Sequence, residues 1–204
     1  MFLDKLKNLR GILYRKVVDK SETVKTQENL EETLPFEVNK PARIIELPDT
    51  KDISKINVTY PLIEPFAYVT IKWIPEHKEL LYLVIEPETT EDEKALIKRV
   101  SEAVIELVDI GLTSLKQSAN AIDYLEKHVT KVVKEFGLTL DKNQYMKLMY
   151  YIYRNFIGYN EIEGLLQDPN IEDISCDGTS TPVYVVHRKY GSLKTNINFD
   201  DLDD

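Results

Sequence analysis

The chain has 204 residues, of which 43% are hydrophobic and 30% charged, and its fully apolar runs are only a few residues long, so wholesale disorder and a spanning helix are both excluded. One cysteine, Cys176, rules out an internal disulfide and a four-cysteine zinc site, and the three histidines, His77, His128 and His187, are too far apart for ligand spacing. A net charge of −9 argues against a groove that tracks nucleic-acid phosphates, so neither metal nor nucleic acid is expected here.

The start, MFLDKLKNLRGILYRK, threads charges through its apolar positions, unlike a secretory leader. Residues 1–20 carry six basic and two acidic side chains, and Phe2, Leu3, Leu6, Leu9, Leu13 and Val17 recur at three- and four-residue steps. That spacing predicts a basic amphipathic helix over residues 1–19. Leu6, Leu9, Arg10, Leu13, Arg15 and Lys16 are its candidate docking residues, for a partner or an anionic membrane surface. The plainer alternative is a helix packed on its own domain, or an arm that frays alone. Residues 20–57 read as a linker, polar at first and then interrupted by Pro35, Pro41 and Pro48.

Folded structure is expected from about Val58. Phe66–Ile74 and Leu80–Ile85 are rich in β-branched and aromatic residues and are separated by residues 75–79, a hairpin pattern bracketed by Pro65 and Pro87. Thr90 and Glu93 form a capping-box pattern opening a first helix, with Leu96, Val100, Val104 and Leu107 on one face and Gly111 as its stop. A second helix runs from about Ser118 to Phe136, with Gly137 behind it. A third starts with Asp141 as N-cap, buries Tyr145, Leu148, Met149, Ile152 and Phe156, and ends at Gly158. Its aromatic cluster, Tyr150, Tyr151, Tyr153 and Phe156, fits helix packing better than a cofactor box. One helical turn at 161–166, a turn at Asp168–Asn170, and strands at 171–176, 183–188 and 192–199 complete the pattern. In the last strand Leu193, Thr195, Ile197 and Phe199 alternate with polar residues, as one buried and one wet face require. The expected fold class is α+β: a hairpin-plus-helices sub-domain at 58–139, then a helix and a small antiparallel sheet at 140–204, incomplete at its C-terminus.

The glycines are residues 11, 111, 137, 158, 164, 178 and 191, and no combination of them makes a phosphate-cradling or dinucleotide loop. Cys176 and His187 lie on neighbouring predicted strands, but a small buried strand residue explains Cys176 more simply than a nucleophile does. Glu172 and Asp173, adjacent on a strand, should point to opposite faces and so make no acid–base pair. The basic cluster His187-Arg188-Lys189, with Arg154, has the chemistry to reach a phosphate or carboxylate, although a charged, solvated sheet edge carries the same residues.

Residues 153–199, YRNFIGYNEIEGLLQDPNIEDISCDGTSTPVYVVHRKYGSLKTNINF, resemble a stretch of the secretion ATPases that drive type II secretion, type IV pilus and archaellum assembly, the archaeal branch above all. The resemblance rests on Gly158, Ile162, Leu165 or Leu166, Asp168, Pro169, Ile171, Glu172, Asp173 and Ile174, and on PVYVVHRKYGSLKTNINF. Residues 60–88 resemble the segment preceding that family's N-terminal helices. It implies a cytoplasmic, non-catalytic N-terminal module at the inner face of the membrane. ATP and Mg would be bound by a RecA-like motor domain outside this chain, with no cofactor held by the chain alone. The implied partners are that motor, neighbouring subunits of a hexamer and a polytopic membrane platform protein, with peripheral membrane contact through residues 1–19. Arg188 and Lys189 are the candidates for approach to a neighbour's nucleotide. Competing readings are a stand-alone adaptor or ligand-sensing module, and a hydrolase built on Cys176 and His187.

Overall fold

A computed structural model of the chain describes residues 35–39, 41, 45–107 and 121–199. The expected helix at 1–19, with Leu6, Leu9, Arg10, Leu13, Arg15 and Lys16, lies outside the described residues, as does the expected stop at Gly111. The described elements are β1 (Asn57–Ile63), β2 (Ala67–Ile74), β3 (Glu79–Ile85), α1 (Glu91–Leu107), α2 (Ala121–Glu135), α3 (Lys142–Phe156), α4 (Glu163–Leu166), β4 (Ile171–Ser175), β5 (Pro182–His187) and β6 (Gly191–Asn198). The fold is α+β. The described residues fall into a helical unit, drawn from 35–36 and 95–149, and a sheet unit, drawn from 37–94 and 150–199.

In the sheet unit six strands run in the order β1-β2-β3-β6-β5-β4. All neighbours are antiparallel except β3 and β6, which pair in parallel through Leu81 opposite Lys194 and Tyr82 opposite Thr195. The strands that the sequence reading divides between 58–139 and 140–204 therefore share one sheet. The joint is prolonged by a side chain: the Asn196 amide accepts from the Val84 N–H at 2.8 Å and donates to the Val84 carbonyl at 2.9 Å. A single amide thus satisfies two backbone groups that the short ladder leaves over.

Alternation sorts the sheet into faces. Tyr60, Leu62, Val69, Ile71, Tyr82, Val84, Val183, Val185, Leu193, Thr195 and Ile197 are buried, and register places them on a common side. Tyr150 stacks on Phe66 with ring centroids 5.0 Å apart, and α4 brings Gly164 so close that a Cβ there would meet Leu62 at 3.3 Å.

The expected hairpin is present as β2 and β3, but it belongs to a three-strand meander because Asn57–Ile63 also forms a strand. Pro61 argues against a strand on sequence grounds. It is tolerated because β1 is an edge, where a missing N–H costs no ladder bond. Upstream residues assigned to the linker are pinned too: Asn39 bridges Glu64, and Ile56 is buried with its carbonyl accepting from the Trp73 N–H. At the other edge a bulge between Ile171 and Asp173 interrupts the ladder of β4, and Glu172 and Asp173 are both exposed.

The helix signals read as their chemistry dictates. Thr90 and Glu93 exchange side-chain-to-backbone bonds at 2.9 and 3.2 Å, and Asp141 and Gln144 do the same at 3.0 and 2.9 Å. In the helical unit Val100, Val104, Leu125, Val129, Val132, Val133, Tyr145, Leu148 and Met149 are buried, and α2 stops at Gly137, whose φ of 63° suits a residue without Cβ. Arg99 lies over the Phe136 ring, 4.5 Å from its centroid.

Candidate functional site

The Asp168-Pro169-Asn170 turn carries a carboxylate into the sheet unit. Asp168 is only 4% exposed. Its Oδ2 accepts from the hydroxyls of Tyr60 and Tyr82, each at 2.7 Å, and its Oδ1 accepts from the Asn170 backbone N–H at 2.8 Å and side-chain amide at 3.0 Å. Four donors around one anion satisfy its acceptor capacity. Burial, and then the charge of Asp168, push both phenols far above the usual tyrosine range, so they remain donors.

The same turn reaches the β5–β6 tip, because the Asn170 carbonyl accepts from the Arg188 N–H at 2.8 Å. His187, at the end of β5, is 1% exposed and stacks on Tyr190 with centroids 4.9 Å apart. Its Nδ1 accepts from the backbone N–H groups of Lys189, at 3.1 Å, and Tyr190, at 3.3 Å. Two amides aimed at Nδ1 assign the ring proton to Nε2, which faces the Tyr60 hydroxyl at 3.5 Å. Burial holds the imidazole below its ordinary pKa, with Asp168 pulling the other way.

Of the candidate cations, Arg188 and Lys189 occupy the turn between β5 and β6. Arg188 is 63% exposed, with Glu172 at 3.7 Å. Lys189 instead donates from Nζ to the Leu47 carbonyl at 2.8 Å, with the Asp49 carboxylate at 4.0 Å, and Tyr190 donates to the Pro48 carbonyl at 3.0 Å. Arg154 does not extend this basic cluster. It is buried, bonded to Glu86 at 2.6 Å and Glu161 at 3.3 Å, and lies over the Tyr151 ring. Tyr150 donates to the other oxygen of Glu86 at 2.6 Å, and Tyr151 donates to the Pro87 carbonyl. The aromatic run on α3 is thus packing with polar tips, and burial pushes the Tyr151 and Tyr153 phenols up to about 12.

Cys176 and His187 do not meet. Ile171 is the residue opposite His187, and Cys176 lies five positions further along, about 16 Å at the usual strand rise. Cys176 is exposed, contrary to the buried strand residue expected, and its Sγ lies near the Gly178 carbonyl. With His187 committed at both nitrogens and Asp168 saturated, the interior cluster positions the tip, and the accessible charge chemistry lies at Arg188.

The sequence gives no site role to Tyr60, Tyr82, Asn170, Tyr190 or Glu86. The available signal was a tyrosine at an inward position of a strand, whose hydroxyl must find a partner when buried. Among the described residues no group of three or more His, Cys, Asp or Glu is placed to hold a metal ion, and no helix is long and apolar enough to cross a membrane.

No protein-family profile matches the chain. Over 150 residues, 74% of the chain, it is 35% identical to uncharacterized protein MJ1288 of Methanocaldococcus jannaschii. Over a 171-residue alignment covering 75% of the chain, it is 28% identical to uncharacterized protein MJ0900 of the same archaeon. The chain spans 59% of the length of the first and 30% of the second, so it is similar to a portion of each.

Proposed function

We propose that the chain is the non-catalytic N-terminal module of a hexameric archaeal ATPase that powers pilus or archaellum assembly or protein secretion. The observation that carries this reading is the role of the family-like motif. Asp168, one of the residues behind the resemblance, accepts from Tyr60 and Tyr82, and the carbonyl of Asn170 in the same turn holds the Arg188 N–H of the β5–β6 tip, so the turn of the motif supports the tip. Similarity to portions of two archaeal proteins is consistent with the archaeal part of this reading alone. ATP and Mg would belong to a separate motor domain. In this module Arg188 offers an exposed guanidinium suited to a phosphate, and Lys189 would join it once free of Leu47. Residues 1–19 would contribute contact with a membrane platform protein at the cytoplasmic face.

The test is ATP hydrolysis by the 204-residue chain and by the complete product of its gene, each with and without Arg188→Glu and Lys189→Glu together. Hydrolysis confined to the complete product, and weakened with hexamer assembly by the double reversal, supports the module. Hydrolysis by the 204-residue chain alone overturns it. Ligand binding by a chain whose gene encodes no motor favours the adaptor instead.

A further inference from the structure

The strongest unexplained arrangement is the relay that runs from a buried ring to a surface segment. His187 Nδ1 holds two amides of the tip, at 3.1 and 3.3 Å. The tip in turn holds the carbonyls of Leu47 and Pro48 through Lys189 Nζ and Tyr190 Oη, at 2.8 and 3.0 Å. Residues 45–50 have no helix or strand of their own, and these bonds join them to the tip of the sheet. We propose that His187 is the lock of a strap: its ring holds the β5–β6 turn, the turn holds residues 45–50, and a proton on Nδ1 releases both.

The chemistry is an acceptor becoming a donor. A protonated Nδ1 carries a hydrogen where the Lys189 and Tyr190 amides already point theirs, so both bonds are replaced by repulsion. The groups facing the ring are Tyr60 from β1, Tyr82 and Asp168 beyond it, and Tyr190 stacked upon it; Lys189, Arg188, Glu172 and Asp49 lie around the tip. The phenols remain neutral through the range in which an imidazole titrates. Burial lowers the folded-state pKa of the ring beneath 6.5, so the stability it contributes is complete above that value and is lost as pH falls through the folded-state pKa. This inference is independent of the proposed function.

The experiment follows the 204-residue chain from about pH 8 to about pH 5. The ring nitrogens are read by nitrogen-15 NMR, amide exchange of Lys189 and Tyr190, corrected for the intrinsic effect of pH, reads the tip, and the backbone order of residues 45–50 from NMR relaxation reads the strap, which is held through its carbonyls. Above the ring's midpoint each unit of acidification raises the protonated fraction about tenfold, and exchange at the tip should rise with it while order in the strap falls. His187→Asn keeps an acceptor near Nδ1 without a titrating group, and its strap should stay ordered across the range. Lys189→Met combined with Tyr190→Phe removes both holds on the strap and keeps the backbone amides that face the ring, and should free residues 45–50 at every pH. The proposal is overturned if the ring stays neutral to about pH 5, if residues 45–50 stay ordered while it charges, or if His187→Asn loses that order as the wild type does.

Discussion

Two of the carboxylates that the sheet unit draws inward, Asp168 and Glu86, are satisfied in different ways. Asp168 has no cation among its bonded partners; two phenols and the two amides of Asn170 surround it. Glu86, with a side chain 20% exposed, has the Arg154 guanidinium on one oxygen and the Tyr150 phenol on the other. The first arrangement spreads an anion over neutral dipoles whose positions are set by three separate chain segments. The second is a charge pair with water at its margin. A neutral cage is unforgiving, because each donor loses its partner when the anion goes, whereas a half-wet ion pair can rehydrate.

The largest expected effect therefore comes from Asp168→Ala, which orphans four donors and should cost about 3–4 kcal/mol, read as a lower urea midpoint at unchanged slope. Arg154→Met should cost less, about 2 kcal/mol, and adding Glu86→Gln should recover part of it in a double-mutant cycle. Equal losses at the two sites would break the comparison. Gly158→Ala sharpens it from the side of space: a Cβ there would lie 2.7 Å from the Arg154 carbonyl and 2.9 Å from the Glu163 carboxylate. Since Glu163 is itself buried, with Tyr159 and Gln167 as its donors, neither neighbour can move freely, and a loss of about 1–2 kcal/mol is expected in the same titration. The smallest effect belongs to Arg188→Ala. Its pairing with Glu172 is exposed on both sides, so stability should change by less than about 0.5 kcal/mol, leaving any loss of assembly or turnover attributable to function.

Legibility in the sequence follows the distance over which each feature is decided. The Thr90–Glu93 and Asp141–Gln144 caps are exchanges within three residues, and the alternation of Leu193, Thr195 and Ile197 is a property of one strand; both are plain on the page. β1 carries Pro61, which a strand tolerates at an edge, and only the tertiary structure assigns β1 that position. Arg154 illustrates the converse. Its sequence neighbours suggest a free cation near the basic tip, and only the return of Glu86 from just beyond β3, 68 positions away, gives it a half-buried partner.

The sequence by itself determined the α+β class, the hairpin and the helix starts at Thr90 and Asp141. Periodicity and capping are local, and each is fixed by a few neighbouring residues. Tertiary structure alone decided that both sets of strands share a sheet through β3 and β6, that Tyr60 and Tyr82 converge on Asp168, and that residues 47–49 lie on the β5–β6 tip. Those contacts link segments about a hundred residues apart, and a buried polar group selects its partner only once the chain has folded around it.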